Sequence, residues 1–111
     1  MSNPETIVQQ QLEAYNARQL ESFVECFSED VVVRELQDGE IIAEGRTEFR
    51  NTYAPLFENC PDLHAKVVHR ICKDDTVIDH ENVWGMRDNE MVEAVAIYQV
   101  QDGLIHRVWF A

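Results

Sequence analysis

The chain has 111 residues, 45% hydrophobic and 27% charged, the balance of one soluble globular domain over residues 1–111 that can bury its own core. Its 21 acidic against 9 basic residues give a net charge of −12, a field that repels phosphate and argues against nucleic-acid and anionic-membrane partners. Cys26, Cys60 and Cys72 form no CxxC pair, which points to reduced thiols in a cytoplasmic protein rather than a disulfide framework or zinc ribbon.

The opening Ser2-Asn3-Pro4-Glu5 carries no basic or apolar leader, and no apolar run is long enough to span a membrane. Asn3 can cap a first helix, with Pro4 at its first position and Glu5 placed well against the dipole. Ile7, Val8, Leu12 and Tyr15 then make one apolar stripe, and Asn16 is a break. A second helix is expected from Leu20 to Phe27, burying Leu20, Phe23, Val24 and Phe27. Val31 to Glu35 reads as a strand that turns at Asp38-Gly39 and returns as Ile41-Ile42-Ala43. Gly45 opens a third helix through Phe49, Tyr53, Leu56 and Phe57, which Pro55 should kink or split.

Leu63 to Cys72 is strand-like, turns at Asp74-Asp75 and returns as Val77 to Trp84. A two-residue turn sets His69 opposite His80, Val67 opposite Asn82 and Ile71 opposite Ile78. A further turn at Arg87-Asp88-Asn89 leads to a final hairpin around Gln101-Asp102-Gly103. With a bulged type I turn there, Val100 faces Leu104, Tyr98 faces His106, Ala96 faces Val108 and Ala94 faces Phe110. Val95, Ile97, Ile105 and Trp109 then share the opposite face; a plain two-residue turn would shift the pairing by one. With both faces apolar, helices should cover one and a second copy of the chain the other, giving a homodimer through the sheet. The order α-α-β-β-α-β-β-β-β is that of an α+β domain with helices on one face of a bent antiparallel sheet.

Ala14-Tyr15-Asn16-Ala17, Leu20-Glu21-Ser22-Phe23, Cys26 through Val31, Glu44-Gly45-Arg46 and Gln101 through Ile105 resemble the nuclear transport factor 2-like superfamily. This group includes ketosteroid isomerases and SnoaL-like cyclases, and the likeness runs over almost the whole chain. It implies a cone-shaped α+β fold, three helices packed on a curved antiparallel sheet, with a pocket between them. The family often has Asp at the position of Gln19, so the second helix here lacks a cap. Laid on a ketosteroid isomerase, the general-base Asp falls on Glu35, a pocket tyrosine on Tyr53, the oxyanion tyrosine on Gln11 and the protonated oxyanion Asp on Ala96. Half of that chemistry is missing, so the resemblance does not imply steroid isomerisation. Other pocket positions fall on Tyr15, Ile78, His80, Asn82, Ala94, Val108 and Phe110, a lining suited to a small organic ligand.

Glu35 ends an apolar strand, where burial would raise its pKa toward that of a working base; the plain alternative is a carboxylate paired with Arg34, Arg46 or a backbone donor. His80 is the candidate that orients or answers Glu35, against a sheet histidine with no chemistry. Tyr53 and Tyr15 are candidate pocket phenols or packing aromatics. His69, His80 and Glu35 superficially suggest a two-His, one-carboxylate set, but no HxH or HExxH spacing supports it, and no metal is expected. Two functions follow. One is a cofactor-independent acid–base enzyme of isomerase, cyclase, dehydratase or hydrolase type; the other is a non-catalytic ligand-binding or dimerisation module. A void touching Glu35 would favour the first, and a pocket filled by Phe49, Phe57 and Phe110 the second.

Overall fold

The computed structural model describes residues 3–86 and 90–111; the expected turn at Arg87-Asp88-Asn89 lies outside them. Helix α1 spans Pro4–Asn16, and the Asn3 side chain accepts the Glu5 amide at 3.0 Å, the cap the sequence implies. Helix α2 is only Leu20–Val24, and Gln19 caps nothing with its side chain. The chain leaves the helix early because Phe27 is already in strand β1 (Phe27–Glu35), paired with Ile105. Strand β2 (Ile41–Glu44) completes the small hairpin. Helix α3 then runs unsplit over Arg46–Asn59 with Pro55 inside it. Strands β3 (His64–Lys73), β4 (Thr76–Trp84), β5 (Val92–Gln101) and β6 (Leu104–Phe110) follow. None of the described helices is long and apolar enough to cross a membrane.

The six strands form one sheet in the order β2-β1-β6-β5-β4-β3. The expectation of a purely antiparallel sheet is corrected here: β1 and β6 pair in parallel, and the sheet is mixed. That pair joins strands near opposite ends of the chain, a contact no local pattern announces. The helices lie on one face, over a core that includes Val31, Val33, Val77, Ile105 and Val108.

Two registers also depart from expectation. His69 does face His80 and Ile71 faces Ile78, but a bulge between Val67 and His69 moves Val67 opposite Glu81 instead of Asn82. In the last hairpin Asp102 and Gly103 both take left-handed conformations, with φ 54° and 79°, so the turn is the two-residue kind. Gln101 faces Leu104 and Val100 faces Ile105; a shift next to Val100 then leaves Tyr98 opposite Val108 and Ala96 opposite Phe110. The shift carries Ile105 onto the core side, where it is fully buried, away from Val95, Ile97 and Trp109.

Candidate functional site

A cavity of about 410 Å³ lies between the helices and the inner sheet face. It reaches from Gln11, Leu12 and Tyr98 toward the end of the sheet where β1, β4 and β6 finish and β5 begins, with Ile42 and Met86 at that end. Phe23 is the hub of its aromatic wall, with ring centroids of Tyr53, Phe27, Phe57, Phe49 and Tyr15 between 5.0 and 5.7 Å away.

Strand β4 puts Val77, Asp79, Glu81 and Val83 on the inner face, two carboxylates between two valines. Asp79 is fully buried and held by Arg70, whose Nε and Nη2 donate to its two oxygens at 2.7 and 3.0 Å. Arg70 Nη1 also donates to Gln9 at 2.9 Å and to Glu5 at 3.4 Å, so its charge is engaged under α1. Glu81 lines the cavity and is 8% exposed, with no such arginine. Burial pushes its carboxyl up to about 7; the charge of Asp79 adds to this, while Arg70 and a hydrogen bond from the Tyr98 hydroxyl pull down. Gln11 Nε2 in turn donates to Tyr98 Oη at 3.3 Å. Burial keeps the Tyr15, Tyr53 and Tyr98 phenols well above the usual range, and the Glu81 charge acts the same way on all three. All three are hydrogen-bond donors at neutral pH.

Glu35, Tyr53, Gln11, Tyr15, Val108 and Phe110 line this cavity, as does Ala94. Glu35 continues the inward alternation of Val31 and Val33. Arg34 and Arg46, its alternative partners, donate instead to the carbonyls of Gly39 and Phe27. The placement of Ile78, His80 and Asn82 is corrected: they alternate with the inward residues and project from the other face of β4. There His80 stacks on His69 at 5.8 Å and its Nε2 lies 3.1 Å from Glu93. His80 and Glu35 therefore occupy opposite faces, and His69, His80 and Glu35 do not converge; no group of three metal-binding side chains occurs among the described residues. Ala96 faces inward but is sealed under neighbouring side chains and does not reach the cavity.

The model of the SnoaL-like domain matches residues 8–108. The chain belongs to the SnoaL-like domain family. A search of curated proteins finds no match. Among solved structures, a cystatin fold protein from Novosphingobium aromaticivorans is 26% identical with a TM-score of 0.87, covering 100% of this chain and 98% of that one. An NTF-2 like protein of unknown function from Burkholderia xenovorans is 14% identical, TM-score 0.81, covering 97% and 80%. A protein with a ketosteroid isomerase-like fold from Catenulispora acidiphila, in complex with trimethylamine, is 15% identical, TM-score 0.78, covering 99% and 86%. Names among further matches range over isomerase, polyketide cyclase and hydroxylase, a spread that leaves the reaction to be argued from the residues.

What sequence reasoning missed in this SnoaL-like domain is Glu81. A signal was present. The expected pairing of His69 with His80 and Ile71 with Ile78 already sets Arg70 against Asp79, the opposite-charge pair that lets acids occupy the inner face. The residue-by-residue resemblance to a ketosteroid isomerase puts Ile78, His80 and Asn82 on the pocket side, one position out of step with the inward face of β4.

Proposed function

We propose that this SnoaL-like domain is a cofactor-independent enzyme that moves a proton on a small, largely apolar organic molecule, as an isomerase, cyclase, dehydratase or hydrolase does. The observation that carries this reading is Glu81, a cavity-facing carboxyl whose pKa of about 7 suits it to take or give a proton at neutral pH. Around it, protonated Tyr53 and Tyr15 supply donors for an oxygen that gains charge, and the aromatic wall holds the apolar body. Glu35 adds a second carboxylate at the strand ends, and the cavity touches it, the condition that favours an enzyme over a binding module. His80 has no part in this chemistry. At their low identities the other solved neighbours, the trimethylamine complex among them, speak for the fold alone.

The test is proton exchange in deuterated water with a panel of enolisable ketones, followed by NMR. Wild-type protein should exchange the proton next to the carbonyl, and Glu81→Gln should slow this by about 10²-fold or more. Exchange that survives in Glu81→Gln would remove Glu81 as the base, and none across the panel would return the chain to the binding-module reading.

We also propose that two copies pair through the uncovered sheet face. Ile71, Ile78, Ile97 and Trp109 sit in register across four strands, an apolar row with no helix over it. Sedimentation should show a dimer at micromolar concentration and a monomer for Trp109→Glu; a wild-type monomer refutes the pairing.

A further inference from the structure

The cavity's charge has one sign. Among the described residues no Lys, Arg or His lines it, and the acidic side chains that do are Glu35, Glu81 and Glu93. Glu93 turns its carboxylate to His80 on the other face, which leaves Glu35 and Glu81. Arg70, the cation that acts on Glu81, points to Asp79, Gln9 and Glu5 rather than into the void. The remaining wall is largely aromatic, with Tyr53, Phe49 and Phe23 in mutual contact.

From this juxtaposition we infer that the substrate carries a cationic nitrogen on an apolar body, and that Glu81 anchors the cation against the aromatic wall. A carboxylate or phosphate would enter a low-dielectric site beside two acidic side chains with no counter-ion among the described residues, and is disfavoured. A neutral molecule gains no ion pair from Glu81. An ammonium group gains from the buried carboxylate and from the faces of the rings, while the chain's net charge of −12 draws it in. Binding also changes Glu81. Its carboxyl is held up mainly by burial, against a smaller pull from Arg70, so an arriving ammonium lowers its proton affinity further. The O–H bond breaks, the proton passes to solvent, and the carboxylate stays beside the ammonium. The cation thus sets Glu81 in its base form, the form that removes a proton in the reaction proposed above, on which this inference rests.

The test uses three probes of one skeleton: 3-phenylpropylamine, 3-phenyl-1-propanol and 3-phenylpropanoate, titrated calorimetrically at pH 6 in two buffers of different ionisation enthalpy. The amine should bind about tenfold or more tighter than the alcohol, and the carboxylate most weakly. The buffer dependence should show proton release with the amine and none with the alcohol. Glu81→Gln should bring the amine down to about the alcohol's affinity and abolish its proton release, while a cooperative urea transition reports that the variant is folded. Alcohol or carboxylate binding as tightly as the amine, amine binding without proton release, or no amine binding at millimolar concentration each overturns the inference. Exchange lost in Glu81→Gln alongside equal binding of amine and alcohol would remove this inference and leave the proton-transfer reading standing.

Discussion

Replacing Glu81 by Gln tests the site through stability, without a substrate. Burial raises the Glu81 carboxyl from 4.5, its ordinary value, to about 7 in the fold. Below 4.5 the group is protonated in folded and unfolded chains alike and contributes no pH dependence. Between 4.5 and 7 the unfolded chain releases the proton and the folded one keeps it, so stability falls as pH rises. Above 7 both are ionised and the full cost is present, about 3 kcal/mol at about 1.4 kcal/mol per tenfold change in proton affinity. Gln has nearly the shape of the protonated acid and no charge to bury. The variant should therefore match wild type near pH 4.5 and exceed it by about 2–3 kcal/mol at pH 8. Urea unfolding followed by the fluorescence of Trp84 and Trp109 across this range gives both curves. Their difference cancels the titrating groups that do not interact with Glu81. A difference that stays flat with pH, or one that favours the wild type more as pH rises, would refute the reasoning.

Three further outcomes are expected. Arg70→Ala leaves Asp79 buried without its partner and should cost about 3–5 kcal/mol at neutral pH by the same urea assay, while pushing the Glu81 carboxyl further up because Arg70 holds it down. Gly85→Ala should cost about 3 kcal/mol or more in urea: Gly85 has φ +87°, and a Cβ there would stand 2.4 Å from the Asp62 carbonyl oxygen. Purified protein should not isomerise a Δ5-3-ketosteroid at a useful rate, since Ala96 supplies no oxyanion donor and such a loss costs about 10²–10³ in turnover; ultraviolet absorbance of the conjugated product checks this.

The elements and their order are written in short stretches of neighbouring residues. Asn3 and Pro4 start α1, and the Asp38-Gly39, Asp74-Asp75 and Asp102-Gly103 turns make the hairpins, because caps and turns are chosen by a few adjacent residues. Glu35, Tyr53, Gln11 and Tyr15 were legible as cavity residues through the resemblance to ketosteroid isomerases, and the apolar stripe of α1 agrees with it at Tyr15. The rest depends on contacts between segments far apart in the chain. The parallel pairing of β1 with β6 joins distant segments and shortens α2 to Val24. Bulges near Val68 and His106 move side chains between faces, and one extra residue reverses whatever alternation predicts. The inward face of β4 was undecidable from its own residues, since each face mixes apolar and polar groups. Arg70 on the neighbouring strand settles it by satisfying Asp79, and Glu81 follows on the same face, its proton held by burial that several elements create together.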